Sequence, residues 1–147
     1  EIDQPYLRVW TRPVTSYAKN YSKLFVTKLL ETKSGQCHSL PLLYLILAKE
    51  LNVDAYLAIA PNHSYVKYPI GSNMYSFECT SAQKVSDSWM VASGYISSMA
   101  IKNGIYLAPL TQKEAVAQCL NDLCNEYQHE FGFDDFYGLG CVVTFYK

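Results

Sequence analysis

Charge of one sign is not in excess in this sequence: twelve Lys and Arg stand against thirteen Asp and Glu, for a net charge of −1. Without a basic surplus or blocks of like charge, nucleic acid is not an expected partner. Long apolar runs are missing too. The longest, Leu40 to Ala48, is interrupted by Pro41 and Tyr44 and reaches about half a bilayer-spanning length, so no transmembrane segment is expected. No glycine-rich phosphate loop, internal repeat, low-complexity tract or Pro/Gly/Ser-rich linker occurs. No nucleotide or other cofactor is therefore expected, and the chain reads as one domain over residues 1–147. Histidine is scarce, with only His38, His63 and His129. An initiator methionine is absent as well; a start at Glu1 fits an exported mature protein or an excised domain, which leaves the compartment open.

What is present is the composition of a soluble globular domain, half hydrophobic and 17% charged, in a length that can bury a core without metal or disulfide staples. The five cysteines, Cys37, Cys79, Cys119, Cys124 and Cys141, cannot all pair within one chain, so at least one free thiol is expected. On the long helix below, Cys119, Cys124 and His129 follow one another at five-residue steps. That spacing turns successive side chains about 140° apart, so the three do not converge on a metal ion and none is expected.

Apolar residues Val14, Tyr17, Tyr21, Leu24, Phe25 and Leu29 recur at three- and four-residue steps, which predicts an amphipathic helix from Val14 to about Leu30, broken at Lys33-Ser34-Gly35. Cys37 to Leu51 predicts a second helix, apolar on every side and so expected to be buried on every side, with Pro41 tolerated in its first turn. The period then changes. Ala55 to Ala60, His63 to Tyr68 and Met74 to Thr80 read as three strands, the last two a hairpin about Gly71-Ser72-Asn73. Trp89 to Leu107 is expected to add strands, one over Gly104 to Leu107. Thr111-Gln112-Lys113-Glu114 matches a capping box and opens a helix over about 111–131. Residues 133–147 read equally as a strand or a docked helix. The fold class is α+β.

Chemistry is suggested where the apolar helix begins. Cys37 falls at or beside the first helical position, where open backbone N–H groups and the positive end of the helix dipole favour an anion. A thiol there has a lowered pKa, the thiolate is the nucleophile, and the same N–H groups can serve a substrate oxyanion. The base is not expected to be His38: as the next helical residue it lies about 100° round the axis from Cys37. His129 ends the long helix and is expected to face solvent. His63 opens a strand that can hold an imidazole against the helix terminus. If residues whose numbers sum to 141 face each other in the hairpin, His63 lies opposite Glu78. Facing Cβ atoms are then roughly 4.5–5.5 Å apart, and the carboxylate can orient the ring. A one-residue slip would turn Glu78 to the other face.

Gly35-Gln36-Cys37 opening an apolar helix, then His63-Ser64-Tyr65-Val66, then Phe77-Glu78-Cys79-Thr80, resembles the transglutaminase-like superfamily over residues of about 24–81. The resemblance implies a papain-like core with a buried central helix packed on an antiparallel sheet and flanking helices. It implies Cys37 as nucleophile, His63 as base and Glu78 as orienter, acting on peptide or amide bonds of a peptide or protein substrate held in a cleft. The family more often has Asp before a Pro-Thr pair where this chain has Glu78-Cys79-Thr80. Its second oxyanion donor is a side chain upstream of the cysteine, for which Gln4, Trp10 and Asn20 are the candidates. The alternative implied is a domain of the same fold that binds without turnover.

Overall fold

The computed structural model describes residues 21–132. Gln4, Trp10, Asn20, Cys141, the start of the first predicted helix and the whole of 133–147 lie outside them, as does the side chain of His129. Among the described residues the architecture is α+β: a four-stranded antiparallel sheet in the order β1-β2-β3-β4 with five α-helices. The strands are β1 (Tyr56–Ala60), β2 (His63–Ile70), β3 (Asn73–Glu78) and β4 (Gln83–Val85), and the helices are α1 (Val26–Thr32), α2 (Ser39–Glu50), α3 (Asp87–Gly94), α4 (Ser98–Lys102) and α5 (Gln112–Phe131). None of these helices is long and apolar enough to cross a membrane.

The predicted first helix is interrupted. A short 3-10 turn over Tyr21–Leu24 ends at Phe25, whose extended backbone (φ −84°, ψ 132°) starts α1 afresh. After α1 the chain turns through Lys33, with φ 57°, into Gly35. Gly35 is required by space: a Cβ there would stand 2.9 Å from both Leu29 Cδ1 and Ser39 Oγ.

Regular hydrogen bonding of α2 begins at Ser39, two residues later than predicted, and Pro41 explains the difference. Leu40 N–H already donates to the Gln36 carbonyl at 3.0 Å, so the chain is wound from Gln36. Pro41 has no N–H to give the Cys37 carbonyl and leaves a gap in the ladder. Ser39 Oγ accepts from Gln36 N–H at 3.1 Å and caps this first turn.

The expectation that α2 is buried on every side is not met. It packs against α1, β1 and β2, and Tyr44 meets the Phe77 ring at 5.7 Å between centroids, while Ile46 and Leu47 remain about half exposed (49% and 53%). An unbroken run of leucine-like residues has no preferred face, so the sequence alone does not tell which side the fold covers.

Two of the three sheet hairpins, β1–β2 and β2–β3, have two-residue loops. Pro61-Asn62 joins β1 to β2, with the positive φ on Asn62 (55°), the pattern of a type II turn. Gly71-Ser72 joins β2 to β3, with the positive φ on Gly71 (60°), as a type II′ turn requires. That loop sets a register in which Ile70 faces Asn73 and Val66 faces Phe77, so paired numbers sum to 143 rather than the predicted 141. The slip is two residues, which preserves the faces. His63, Tyr65 and Lys67 therefore share a face with Ser76 and Glu78. Ala58, Ala60 and Tyr65 on this face form a core with Met90, Ile96 and Leu107.

The strands expected within Trp89 to Leu107 are instead α3 and α4, each started by a serine cap. Ser86 Oγ accepts from Trp89 N–H at 3.1 Å and Ser97 Oγ from Ala100 N–H at 3.2 Å. The segment that follows does touch the sheet: Leu107 N–H donates to the Ile59 carbonyl at 3.0 Å and Leu110 N–H to Leu57 at 2.8 Å. It covers the edge of β1 without becoming a strand, because Gly104 and Leu107 both take positive φ and turn the chain away. The Thr111–Glu114 capping box then opens α5 as predicted, with the side chain of each residue bonded to the backbone N–H of the other.

Candidate active site

Three elements bring the site together: the wound turn before α2 carries Cys37 and His38, the first residue of β2 is His63, and the last of β3 is Glu78. Cys37, His63 and Glu78 are each buried, at 3%, 5% and 3% exposure. Buried polar groups of this kind need partners. His63 Nε2 hydrogen-bonds Glu78 Oε2, and the pKa of the Cys37 thiol responds to the His63 ring. The other carboxylate oxygen, Glu78 Oε1, accepts from Thr80 N–H at 2.8 Å and Thr80 Oγ1–H at 2.6 Å. Tyr65 lies nearly parallel to the His63 ring at 6.4 Å between centroids and walls it on the core side.

His38 is not remote from the thiol: the Cys37 pKa responds to it, and its Nδ1–H donates to Asp122 Oδ2 on α5 at 2.9 Å. Cys37 and His38 belong to the wound turn that precedes regular α2, and the tie to Asp122 fixes the ring there, so the 100° step of an ideal helix does not decide where it lies. Gln118, one turn earlier on α5, donates to Asp122 Oδ1 at 2.8 Å, so both carboxylate oxygens are engaged. Sequence reasoning missed Asp122 altogether. The one available signal was its place four residues after Gln118 on the helix face that also carries Cys119 and Leu123.

The site therefore holds one sulfur, two imidazoles and two carboxylates. Burial alone would push the Cys37 thiol up; the hydrogen bonds from His38 and His63, and then their charges, more than reverse this and bring it down from 9.0 to about 6. Burial likewise opposes a proton on His38, yet the bonds to Asp122 and Cys37 raise its pKa from 6.5 to about 10. His63 is also raised against its burial, by Cys37 and then Glu78. Glu78 is lowered against its burial, by His63 and then Thr80. The shifts all favour moving the thiol proton toward the imidazoles, each of which is backed by a carboxylate. By contrast Cys79, beside Glu78, is pushed up to about 12 by burial and by that carboxylate, so it is no competing nucleophile.

A cavity of about 210 Å³ adjoins this cluster. His38, Asp122, Ser64 and Cys119 line it together with apolar side chains including Leu42 and Leu57. A larger one, about 530 Å³, lies by Asp87 and Tyr106. Cys37 lines neither. Among the described residues no three His, Cys, Asp or Glu side chains are grouped to hold a metal ion. No protein-family model, curated protein or solved structure matches this chain.

Proposed function

We propose that the protein is a thiol-dependent acyl-transfer enzyme acting on peptide or amide bonds, with Cys37 as nucleophile, His63 as acid and base, and Glu78 as orienter. The observation that carries this reading is the burial of Cys37, His63 and Glu78 where α2, β2 and β3 meet, with His63 hydrogen-bonded to Glu78 and the Cys37 thiol lowered by its histidine neighbours. The order of a helix-terminal thiol, a strand histidine and a carboxylate on the next strand is that of transglutaminase-like domains with a papain-like core, and it supports the same assignment. In the first half-reaction the thiolate attacks the amide carbonyl carbon and a C–S bond forms. The C–N bond then breaks, and the amine departs with a proton from the His63 imidazolium. In the second, water or an amine attacks the thioester while His63 takes its proton, and the C–S bond breaks to restore the thiolate. Gln36, Leu40 and Leu42 N–H are bonded within the turn and Pro41 has none, so the donors proposed for the intermediate's oxyanion are the backbone N–H groups of Cys37, His38 and Ser39.

Binding without turnover is the second reading, favoured by the 3% exposure of Cys37. Reaction with p-nitrophenyl acetate, followed by mass mapping, separates the two. An enzyme gives an acetyl adduct on Cys37 that turns over, and His63→Ala slows that turnover by about a hundredfold. An unmodified Cys37 under conditions that acetylate a model thiol would remove the catalytic reading and leave the binding one. Peptide p-nitroanilides, and glutamine peptides offered with a primary amine, then distinguish hydrolysis from amide exchange.

A further inference from the structure

We propose that the cavity of about 210 Å³ beside the cluster is the pocket for one side chain of the substrate, an apolar one tipped by a single hydroxyl, of which tyrosine is the coded example. This deepens the acyl-transfer reading and rests on it. Position is the first argument. The cavity wall includes His38, next in sequence to Cys37, and Ser64, next to His63. Ser64 lies on the face of β2 opposite His63, the face that Leu57 of β1 shares and that α2 covers through Tyr44 and Phe77. The pocket thus lies on the α2 side of the sheet, beside the turn that carries Cys37. Leu57 and Ser64 form a buried floor, each 3% exposed, whereas the lining residues Phe25 and Leu120 reach the surface, at 42% and 39%.

Size and chemistry select the occupant. Pockets for drug-sized ligands measure roughly 300–1,000 Å³, so this smaller one suits a single side chain. Leu24, Leu42, Leu57 and Leu123 supply apolar wall, against which an aromatic ring gains by leaving water. Asp122 offers nothing to a cationic side chain, since His38 and Gln118 already engage both its oxygens. Ser64 is the exception in this wall. Its hydroxyl makes no hydrogen bond among the described residues, although the residue is almost wholly buried. A buried hydroxyl without a partner is costly, and an occupant that brings one hydroxyl of its own removes that cost. Tyrosine does so. Phenylalanine fills the same walls and leaves Ser64 unanswered.

Iodoacetamides test this without requiring turnover, because they alkylate Cys37 directly. The N-methyl and N-phenethyl reagents and the iodoacetamide of tyramine are compared on the full chain by mass mapping, each rate divided by that for free cysteine. Cys37 should react at least about tenfold faster with the phenethyl than with the methyl reagent, through burial of the ring. The tyramine reagent should gain about fivefold more. Ser64→Ala, nearly isosteric, should erase that second gain, and Leu120→Trp, at the exposed mouth, should reduce both. Equal normalised rates, or no reaction of Cys37 with any of the reagents, would overturn the pocket. So would an aryl preference at Cys119, which also lines the cavity, with none at Cys37. A tyramine gain that is absent, or that survives Ser64→Ala, would overturn the selection of a hydroxyl. Should the aryl preference appear at Cys37 while no acyl adduct turns over, the acyl-transfer reading fails and the pocket stands as a binding site. Turnover without the preference would sink the pocket and leave the acyl-transfer reading intact.

Discussion

His63 and Glu78 are diagonal neighbours, not cross-strand partners. The register that pairs Val66 with Phe77 places Glu78 opposite Tyr65, two residues along the strand from His63, yet the His63 ring and the Glu78 carboxylate are bonded. Diagonal positions on one face are roughly 7–8 Å apart, a span that long side chains bridge and short ones do not. The extra methylene of glutamate is what closes it.

Glu78→Asp should therefore behave as a loss of the carboxylate and not as a conservative change. We expect turnover of a Cys37 acyl adduct to fall at least about tenfold in Glu78→Asp, close to the effect of Glu78→Gln. A Glu78→Asp protein with normal turnover would mean that the diagonal reach is not what orients His63. Stability should fall too, by about 3 kcal/mol in Glu78→Ala, because the buried His63 loses its partner. A urea titration near neutral pH measures this.

The shared face of His63 and Glu78 is legible in the sequence even though the register is not. Placing the hairpin centre one position early shifts the register by two residues, and side chains alternate with a period of two, so His63 and Glu78 keep their common face. A one-residue error would have separated them. His38–Asp122 was not legible: the partners are 84 positions apart, and helix geometry applied one turn too early set His38 aside. Gly104 to Leu107 read as a strand because its apolar residues do reach the sheet, but positive φ values stop the ladder from forming, and a hydropathy pattern does not encode φ. The short β4, paired only over Val85, Lys84 and Gln83, has too few residues for alternation to show.

Gly35→Ala tests how closely α1 approaches the turn before α2. Backbone strain is not the issue, since the new methyl would collide with Leu29 Cδ1 and Ser39 Oγ, both at 2.9 Å. Moving Ser39 Oγ breaks the cap on Gln36 N–H. We expect a loss of about 1–3 kcal/mol, with slower Cys37 alkylation near pH 6 as the turn that carries the sulfur is displaced. Thermal unfolding and alkylation rate are measured on the same sample; a protein altered in neither would show the contact to be readily absorbed.

Away from the site, Lys67 is 5% exposed on the face shared with Tyr65, and its ammonium is held by Asp87 Oδ2 at 2.8 Å, while Ser76 Oγ–H donates to Asp87 Oδ1 at 3.0 Å. Asp87 opens α3, so this cluster ties the helix to the sheet. Removing the acid strands a buried cation, whereas removing the cation leaves an acid that is half exposed and near a helix N-terminus. Asp87→Ala should thus cost about 3 kcal/mol, and Lys67→Met considerably less. Equal losses in chemical denaturation would contradict this.

The His38 proton also links stability to pH. Its folded pKa, about 10, lies above the unfolded value of 6.5, so below pH 6.5 both states are protonated and the stabilisation is complete. As pH rises from 6.5 toward about 10, the folded state must hold a proton that the unfolded state has released, and the stabilisation drains away until it is gone above the folded pKa. Cys37 runs the other way. Its lowered pKa adds stability that is complete above 9.0 and is lost as pH falls through about 6. Comparing Cys37→Ser with the double variant Cys37→Ser/His38→Gln isolates the part of the first effect that Asp122 supplies: the stability gap should be largest near pH 6.5 and close as pH rises from there. Urea midpoints taken along that range read the gap directly. A gap constant across the range would mean that His38 packs against Asp122 without carrying the charge assigned to it.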